Sequence, residues 1–372
     1  MSDQNSINTK VTVASVLLVG CGAPLKSMGA YHALQILDGR VPDAVLEYVV
    51  EPWFFNEASK SAPGYVEFHA WRKTLETDRN VQFFSTVADV PAPKEGDIRL
   101  AIISARTSDN PDLLKACVAN GCKAIYLEKP GATTVEDLEA MRDLAAAKGV
   151  AVHMGFNKNV SGYLTKSMEF AKTHGDSSKT NVTFLHNNNY PDTTEALSEC
   201  FERNAEGMLK NMAIHELAIC VTYYGVTVDT IDSVTADREY SSLRTLGSFT
   251  DFDKLKFSIT TKAGVSISVA ADRCGGDDSV GIVTDASNGT ELARFSMPDD
   301  DTIAKIPSLL EKYGDAMPYF FAQDPDYLEL KNRVVQSVVH GTHPDGVASI
   351  DVAVETLKVA EYLTPILQEQ LK

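Results

Sequence analysis

The stretch Val13–Leu37, VASVLLVGCGAPLKSMGAYHALQIL, decides how the rest of the chain is read. An apolar run runs into a glycine-bearing turn, and a helical period then begins near Ser27 and Met28. Such a strand-to-helix turn presents free backbone N–H groups and the positive end of a helix dipole to an anion. The dinucleotide fingerprint G-x-G-x-x-G has two residues between its second and third glycines, whereas here six separate Gly22 from Gly29. By themselves Gly20, Gly22 and Gly29 read as an ordinary tight connection, so the surrounding pattern has to decide between a stretched phosphate loop and a plain turn.

Outward from this stretch, short apolar runs alternate with helical segments as far as Phe156. VLEYVVE, IRLAIISA, KAIYLEKP and VAVHMGF are separated by stretches such as PDLLKACVANG and TVEDLEAMRDLAAAKG. Strands that are apolar throughout, each followed by a helix, call for a parallel sheet covered on both faces. Residues 1–150 are therefore expected to form a Rossmann-type, doubly wound dinucleotide-binding domain. The period then changes. In LKFSITTKAGVSISVA, Leu255, Phe257 and Ile259 alternate with Lys256, Ser258 and Thr260, and Val265, Ile267 and Val269 alternate with Ser266 and Ser268. Period two with Gly264 at the turn is an antiparallel hairpin, and Asn288-Gly289 marks another. Residues 151–345 are expected to form an α+β substrate and oligomerisation domain with a mostly antiparallel, open-faced sheet. Its Ser/Thr-rich face is either solvent surface or the contact of a homo-oligomer. Residues 346–372 are expected to form a helix packing back on the body.

Composition narrows the class of partner. The 372 residues carry a formal charge of −17, with 44% hydrophobic residues, which describes a soluble globular chain and argues against nucleic acid or an anionic membrane surface. The longest apolar runs fall short of the roughly 18 residues that span a bilayer. The polar opening MSDQNSINTK lacks the layout of a secretory signal and is expected to be a frayed lead-in, which points to the cytoplasm. Six cysteines form no C-x-x-C pair and suit reduced thiols. His340 and His343 have metal-like spacing but no further ligand nearby, so no metal is expected.

AVLEYVVEPWF, Ala44–Phe54, places Glu51 at the end of the second expected strand, 22 residues beyond Gly29. An acid there suits the ribose hydroxyls of NAD and repels the 2′-phosphate of NADP. YLEKPGATT then brings Glu128-Lys129-Pro130 to the end of another apolar strand. That motif resembles the E-K-P motif of the glucose-fructose oxidoreductase and inositol dehydrogenase (Gfo/Idh/MocA) family. MGAYHA resembles that family's G-x-x-H helix start, with Gly29 and His32 at the matching offset, which makes the odd turn a phosphate loop with four inserted residues. EGMLKNMAIHELAICVTYYG resembles its D-x-G-x-H helix, with His215 on the histidine position, and ELKNRVVQSVVHGTHPDGVASIDVAVETLKVAEYL has the layout of its C-terminal segment.

The resemblance implies an NAD-dependent oxidoreductase acting on a hydroxylated small molecule such as a sugar, polyol or related polar acid. It places Lys129 at the nicotinamide and substrate with His215 across the cleft. A histidine suits removal of a hydroxyl proton, and a nearby lysine cation stabilises alkoxide charge. Asn211 stands where the family usually has aspartate, on the helical face of His215; it can hydrogen-bond but supplies no charge. Gly20, Gly22, Gly29, Glu51, Ser104, Arg106, Glu128 and Lys129 are assigned to the cofactor. Arg106 is either a pyrophosphate or carboxylate clamp or a solvated loop arginine. Asn157 and Lys210 are assigned to the substrate, and the polar loop Asn187–Asp192 is either a further contact or a turn. Two other readings stay open: an NAD-using glycosidase or lyase with transient oxidation, and a non-catalytic NAD-binding regulator.

Overall fold

The structure, a computed structural model, describes residues 13–175, 179–314 and 316–372. The MSDQNSINTK lead-in lies outside the described residues. Strands β1 (Ala14–Val19), β2 (Ala44–Val50), β3 (Gln82–Phe84), β4 (Ile98–Ile103), β5 (Ala124–Leu127) and β6 (Ala151–Met154) form a six-stranded sheet in the order 3-2-1-4-5-6. All of its pairings are parallel. This is the doubly wound order, with a topological switch between β1 and β4 at which ligands bind. The central strands are the continuously apolar runs of the sequence, because helices cover both of their faces.

Helices α1 (Met28–Leu37), α2 (Tyr65–Asp78), α3 (Asn110–Asn120) and α4 (Val135–Ala147) connect these strands. Beyond β6 come α5 (Gly162–Thr173), β7 (Thr180–Asn187), α6 (Thr194–Arg203), a short α7 (Met208–Asn211) and α8 (Ile214–Tyr224). Strands β8 (Ile231–Ala236), β9 (Ser242–Leu246), β10 (Phe249–Thr261), β11 (Ser266–Asp272), β12 (Ser279–Asp285) and β13 (Glu291–Met297) then build a seven-stranded sheet in the order 13-12-7-11-10-8, with β9 on β10. Only the β7–β11 pairing is parallel; the others are antiparallel. The alternation around Gly264 resolves into the β10–β11 register, with Phe257 facing Val269 and Ile259 facing Ile267. Those four side chains are buried, and on the opposite face the Ser258 and Ser268 hydroxyls meet at 2.7 Å. Gly264 and Gly289 adopt positive φ at the two hairpin turns, as mirror-image turns require.

The chain finishes with α9 (Asp300–Tyr313), α10 (Pro318–Ala322), α11 (Asp324–His340) and α12 (Ile350–Leu371). Helix α11 returns to the first sheet, where Leu330, Val334 and Val335 join the core formed by Val16, Leu18 and Ile102. Helix α12 packs on α4 and α8, and its Ala353, Leu357 and Leu363 join a core that runs from β4 and β5 to β7 and α8. No helix among the described residues is long and apolar enough to cross a membrane.

The short helix α7 is too brief to hold itself by backbone bonds alone and is braced from the second sheet. Asp251 accepts the Met208 N–H at 3.1 Å, and the fully buried Arg273 binds the same carboxylate at 2.7 Å. Replacing Arg273 with Met strands a buried carboxylate and is expected to lower the unfolding free energy by about 3–5 kcal/mol, read from urea denaturation. A change below about 1 kcal/mol would show that the pair does not brace α7.

Candidate functional site

The turn after β1 is built on close backbone approaches. A Cβ on Gly20 would lie 2.8 Å from the Ala105 Cα, so the ends of β1 and β4 touch only because residue 20 has no side chain. A Cβ on Gly29 would lie 2.1 Å from the Gly20 carbonyl oxygen, which sets the first turn of α1 directly on the end of β1. Between them Gly22 takes φ of 65°. Ser27 precedes α1 but makes no side-chain cap; its hydroxyl contacts the carbonyl oxygens of Cys21 at 2.5 Å and Ala23 at 2.7 Å. The first-turn N–H groups of α1 therefore lack a side-chain acceptor, the condition for holding an anion. The extra residues of this turn pack against the C-terminal part of the chain: the Leu25 carbonyl accepts the Met317 N–H at 3.3 Å, and Leu25 packs beside Phe320 and Phe321.

Glu51 ends β2 as the sequence requires, but it is only 4% exposed and already engaged. Its carboxylate accepts the Gly22 N–H at 2.7 Å and the Trp53 N–H at 3.2 Å. An ionised carboxylate has about four acceptor sites, so it pins the loop while keeping capacity for ribose hydroxyls.

At the end of β5, Glu128 lies against Gly155, where any side chain would collide with its carboxylate. Glu128 Oε1 is 2.9 Å from His32 Nε2, and the Tyr126 hydroxyl donates to it at 3.1 Å. Lys331, from α11, lies 2.9 Å from His32 Nδ1. Burial, reinforced by Lys331, pulls His32 down to about 4, so the ring is neutral; Lys331 donates to Nδ1 and Nε2–H donates to Glu128. Against the upward push of burial, His32 and Lys129 keep the Glu128 carboxyl below its ordinary value. Lys129, joined to Pro130 by a cis peptide, directs Nζ to the Asn211 carbonyl oxygen at 3.2 Å. Burial pulls its ammonium downward.

The facing wall comes from α7, α8 and β7. Asn211 donates its side-chain amide to Glu206 at 3.0 Å. His215 is buried with Nδ1 unpartnered, and the Phe156 ring stands edge-on to it at 5.9 Å. Burial first, then the charges of Lys129, Lys158 and His186, hold His215 well below its ordinary 6.5, so it is a neutral base at physiological pH.

Lys129, Asn211 and His215 line a single cleft of about 750 Å³ together with Met28 of α1 and with Ser104, Ala105 and Glu128 at the strand ends of the first sheet. Asn187, Asn188, Asn189 and Tyr190, the polar loop of the sequence, also line it. Several expected residues lie elsewhere. Arg106 is exposed and outside the cleft lining. Asn157 is wholly buried, bonded to Gln323 at 3.2 Å, and reaches the cleft only through that partner. Lys210 is drawn away by Glu361 of α12 at 2.7 Å. His340 and His343 pair with Asp43 and Asp345, and among the described residues no cluster of three or more His, Cys, Asp or Glu side chains is arranged to hold a metal.

Sequence reasoning missed the charges behind the cleft. Lys158 Nζ lies 3.1 Å from Glu216 Oε1, and both side chains are buried. His186 Nδ1 lies 3.0 Å from the Met212 carbonyl oxygen and 3.4 Å from Glu216 Oε2. Burial pushes the Glu216 carboxyl up, but Lys158 and His186 overcome it and hold it at about 2. A lone acid inside the apolar run of α8 and a lone lysine in GFNKNV were the available signals. Because the folded value of Glu216 lies below its unfolded one, its contribution to stability is complete above about pH 4.3 and is lost as pH falls toward 2. Glu216→Gln is expected to cost about 3–5 kcal/mol at pH 7, by leaving Lys158 without its counter-charge. Urea denaturation of wild type and variant at pH 7 and pH 3 checks both the loss and its shrinkage in acid.

Residues 66–156 match the family model described as an oxidoreductase family with an NAD-binding Rossmann fold, GFO_IDH_MocA. Among curated proteins no match to this sequence is found. A scyllo-inositol dehydrogenase from Lactobacillus casei, solved with bound NAD(H) and scyllo-inositol, is 13% identical, with 96% of this chain and 97% of that chain covered and a TM-score of 0.67. A myo-inositol dehydrogenase from Corynebacterium glutamicum is 18% identical, with 96% and 97% covered and a TM-score of 0.65. A probable dehydrogenase from Thermotoga maritima is 16% identical over the same shares, with a TM-score of 0.67. At such identities the likeness is one of fold, extending over both sheets. Residues 66–156 are thus similar to the Gfo/Idh/MocA oxidoreductase family, and the rest of the chain shares its fold with the dehydrogenases named above.

Proposed function

We propose that the protein transfers a hydride between NAD and a hydroxylated small molecule, a polyol or sugar, with Lys129, Asn211 and His215 at the reacting carbon. The observation that carries this reading is their convergence on one cleft whose other wall is the carboxyl end of the first sheet. The residues present fit the cofactor: glycines clear the turn, the first turn of α1 has no side-chain cap, and Glu51 supplies acceptors at the end of β2. When bound, NAD supplies the hydride acceptor or donor.

In the oxidation direction, neutral His215 takes the hydroxyl proton at Nε2, since Nδ1 is closed off, and Lys129 stabilises the alkoxide as its charge develops. Asn211 fixes the Lys129 ammonium through its backbone carbonyl and hydrogen-bonds substrate through its amide. Inositols head the substrates to test, because two of the structurally similar enzymes named above are inositol dehydrogenases. The reading extends to a reducing, cytoplasmic setting, supported by six free cysteines.

Two measurements test it. NAD should raise the melting temperature more than NADP does, and Glu51→Ala should reduce the shift; no stabilisation by either nucleotide in nucleotide-free protein sinks the reading. With a substrate found by screening inositols, sugars and polyols for NADH formation, His215→Ala should lower kcat by about 10²–10⁴. The base must be unprotonated and its pKa is depressed, so the acid limb of kcat/KM should fall below pH 6.5. Lys129→Met removes a cation that depresses it and should move that limb to higher pH as well as slowing turnover.

A further inference from the structure

We infer that the indole of Trp53 is the platform on which the adenine of the cofactor stacks; this rests on the NAD reading above. Trp53 lies in the turn Pro52-Trp53-Phe54-Phe55 that leaves β2 directly after Glu51. Of its three aromatic residues, two face inward. Phe54 is 4% exposed and stacks on Phe68 at 4.8 Å, while Phe55 meets Phe68 edge-on at 5.9 Å and carries the Arg72 guanidinium at 4.7 Å. Trp53 remains 46% exposed, and among the described residues no aromatic ring or cation packs against its indole. The other tryptophan, Trp71, is packed edge-on against Phe83 at 5.7 Å.

Its place in the fold gives this exposure a meaning. A dinucleotide lies across the carboxyl ends of a doubly wound sheet, with its pyrophosphate at the turn after β1. Lys129 at the end of β5 marks the nicotinamide half, so the adenosine half extends the other way, over β2. The backbone there is held in register with the phosphate loop, because one carboxylate, Glu51, accepts both the Gly22 and the Trp53 N–H groups. A ribose hydrogen-bonded to Glu51 would deliver its base beside residue 53. An indole face left in water and a purine face brought to the same edge both lose unfavourable apolar exposure by stacking. Every base offers a π-face, and base–aromatic stacking is strong enough that its loss is measurable as roughly tenfold or more in affinity.

The test uses the full chain and ADP-ribose, which carries the adenosine half of NAD without nicotinamide. The protein has two tryptophans, so Trp71→Phe leaves Trp53 as the reporter. ADP-ribose should quench the emission of that variant and leave the emission of Trp53→Phe nearly unchanged. By calorimetry Trp53→Ala should bind ADP-ribose and NAD about tenfold or more weakly, while Trp53→Phe, which keeps a ring, stays within a few-fold of wild type. Melting temperatures of the unliganded variants guard against misfolding, because the backbone bond to Glu51 survives each substitution. Equal ADP-ribose affinity of wild type and Trp53→Ala overturns the adenine assignment alone. If wild type binds neither ADP-ribose nor NAD, the oxidoreductase reading falls and the adenine assignment falls with it.

Discussion

Lys158 and Glu216 meet 3.1 Å apart where the first sheet gives way to the second. Neither charge is tolerable there alone, since burying an isolated ion costs several kcal/mol. The lysine lies in the turn that follows β6 and the carboxylate in the first turn of α8. Their pairing therefore sets where α8 starts relative to the parallel sheet, and His215 is the residue immediately before the glutamate. The same cluster acts on the cleft electrostatically: burial first, then the charges of Lys129, Lys158 and His186, lower the His215 pKa, so Lys158 bears on both the position of the imidazole and its proton state.

A second constraint lies under the nucleotide edge. Glu128, His32 and Lys331 form a buried chain that joins the end of β5, the first turns of α1 and the returning helix α11. Because His32 is neutral, its two nitrogens have opposite roles, one accepting and one donating, and the chain has a direction. It ends on a carboxylate lining the cleft beside Lys129. The motif positions singled out in the sequence, Gly29, His32, Glu128 and Lys129, are thus parts of one hydrogen-bonded assembly.

What could be read in the sequence was whatever local pattern specifies. Period-two alternation around Gly264 gave the β10–β11 hairpin, and apolar runs followed by helical periods gave the parallel sheet, because both report which faces are covered. Lys129, Asn211 and His215 were reached through motif resemblance, and all three line the cleft. Residues whose surroundings depend on distant chain were harder to read. Lys210 looks like a cleft residue until α12 supplies Glu361, and Asn157 looks like a substrate contact until α11 approaches and Gln323 takes its amide. The four inserted residues had no local explanation either. Their partner is the Met317–Phe321 segment, nearly three hundred positions away, which ties the turn after β1 to the region of α10.

The return of α11 to the first sheet also bears on how the molecule is made. The nucleotide-binding sheet ends at Met154, yet Leu330, Val334 and Val335 finish one of its cores, and the Asp324 carboxylate holds Arg40, Gln35 and Tyr31 of the α1 region. During vectorial synthesis the first half must wait, one apolar face open, until nearly all of the second has left the ribosome. An excised piece ending after β6 would show the same open face permanently, so the segment that binds nucleotide is continuous in sequence only as a motif and becomes a finished fold only as part of the whole chain.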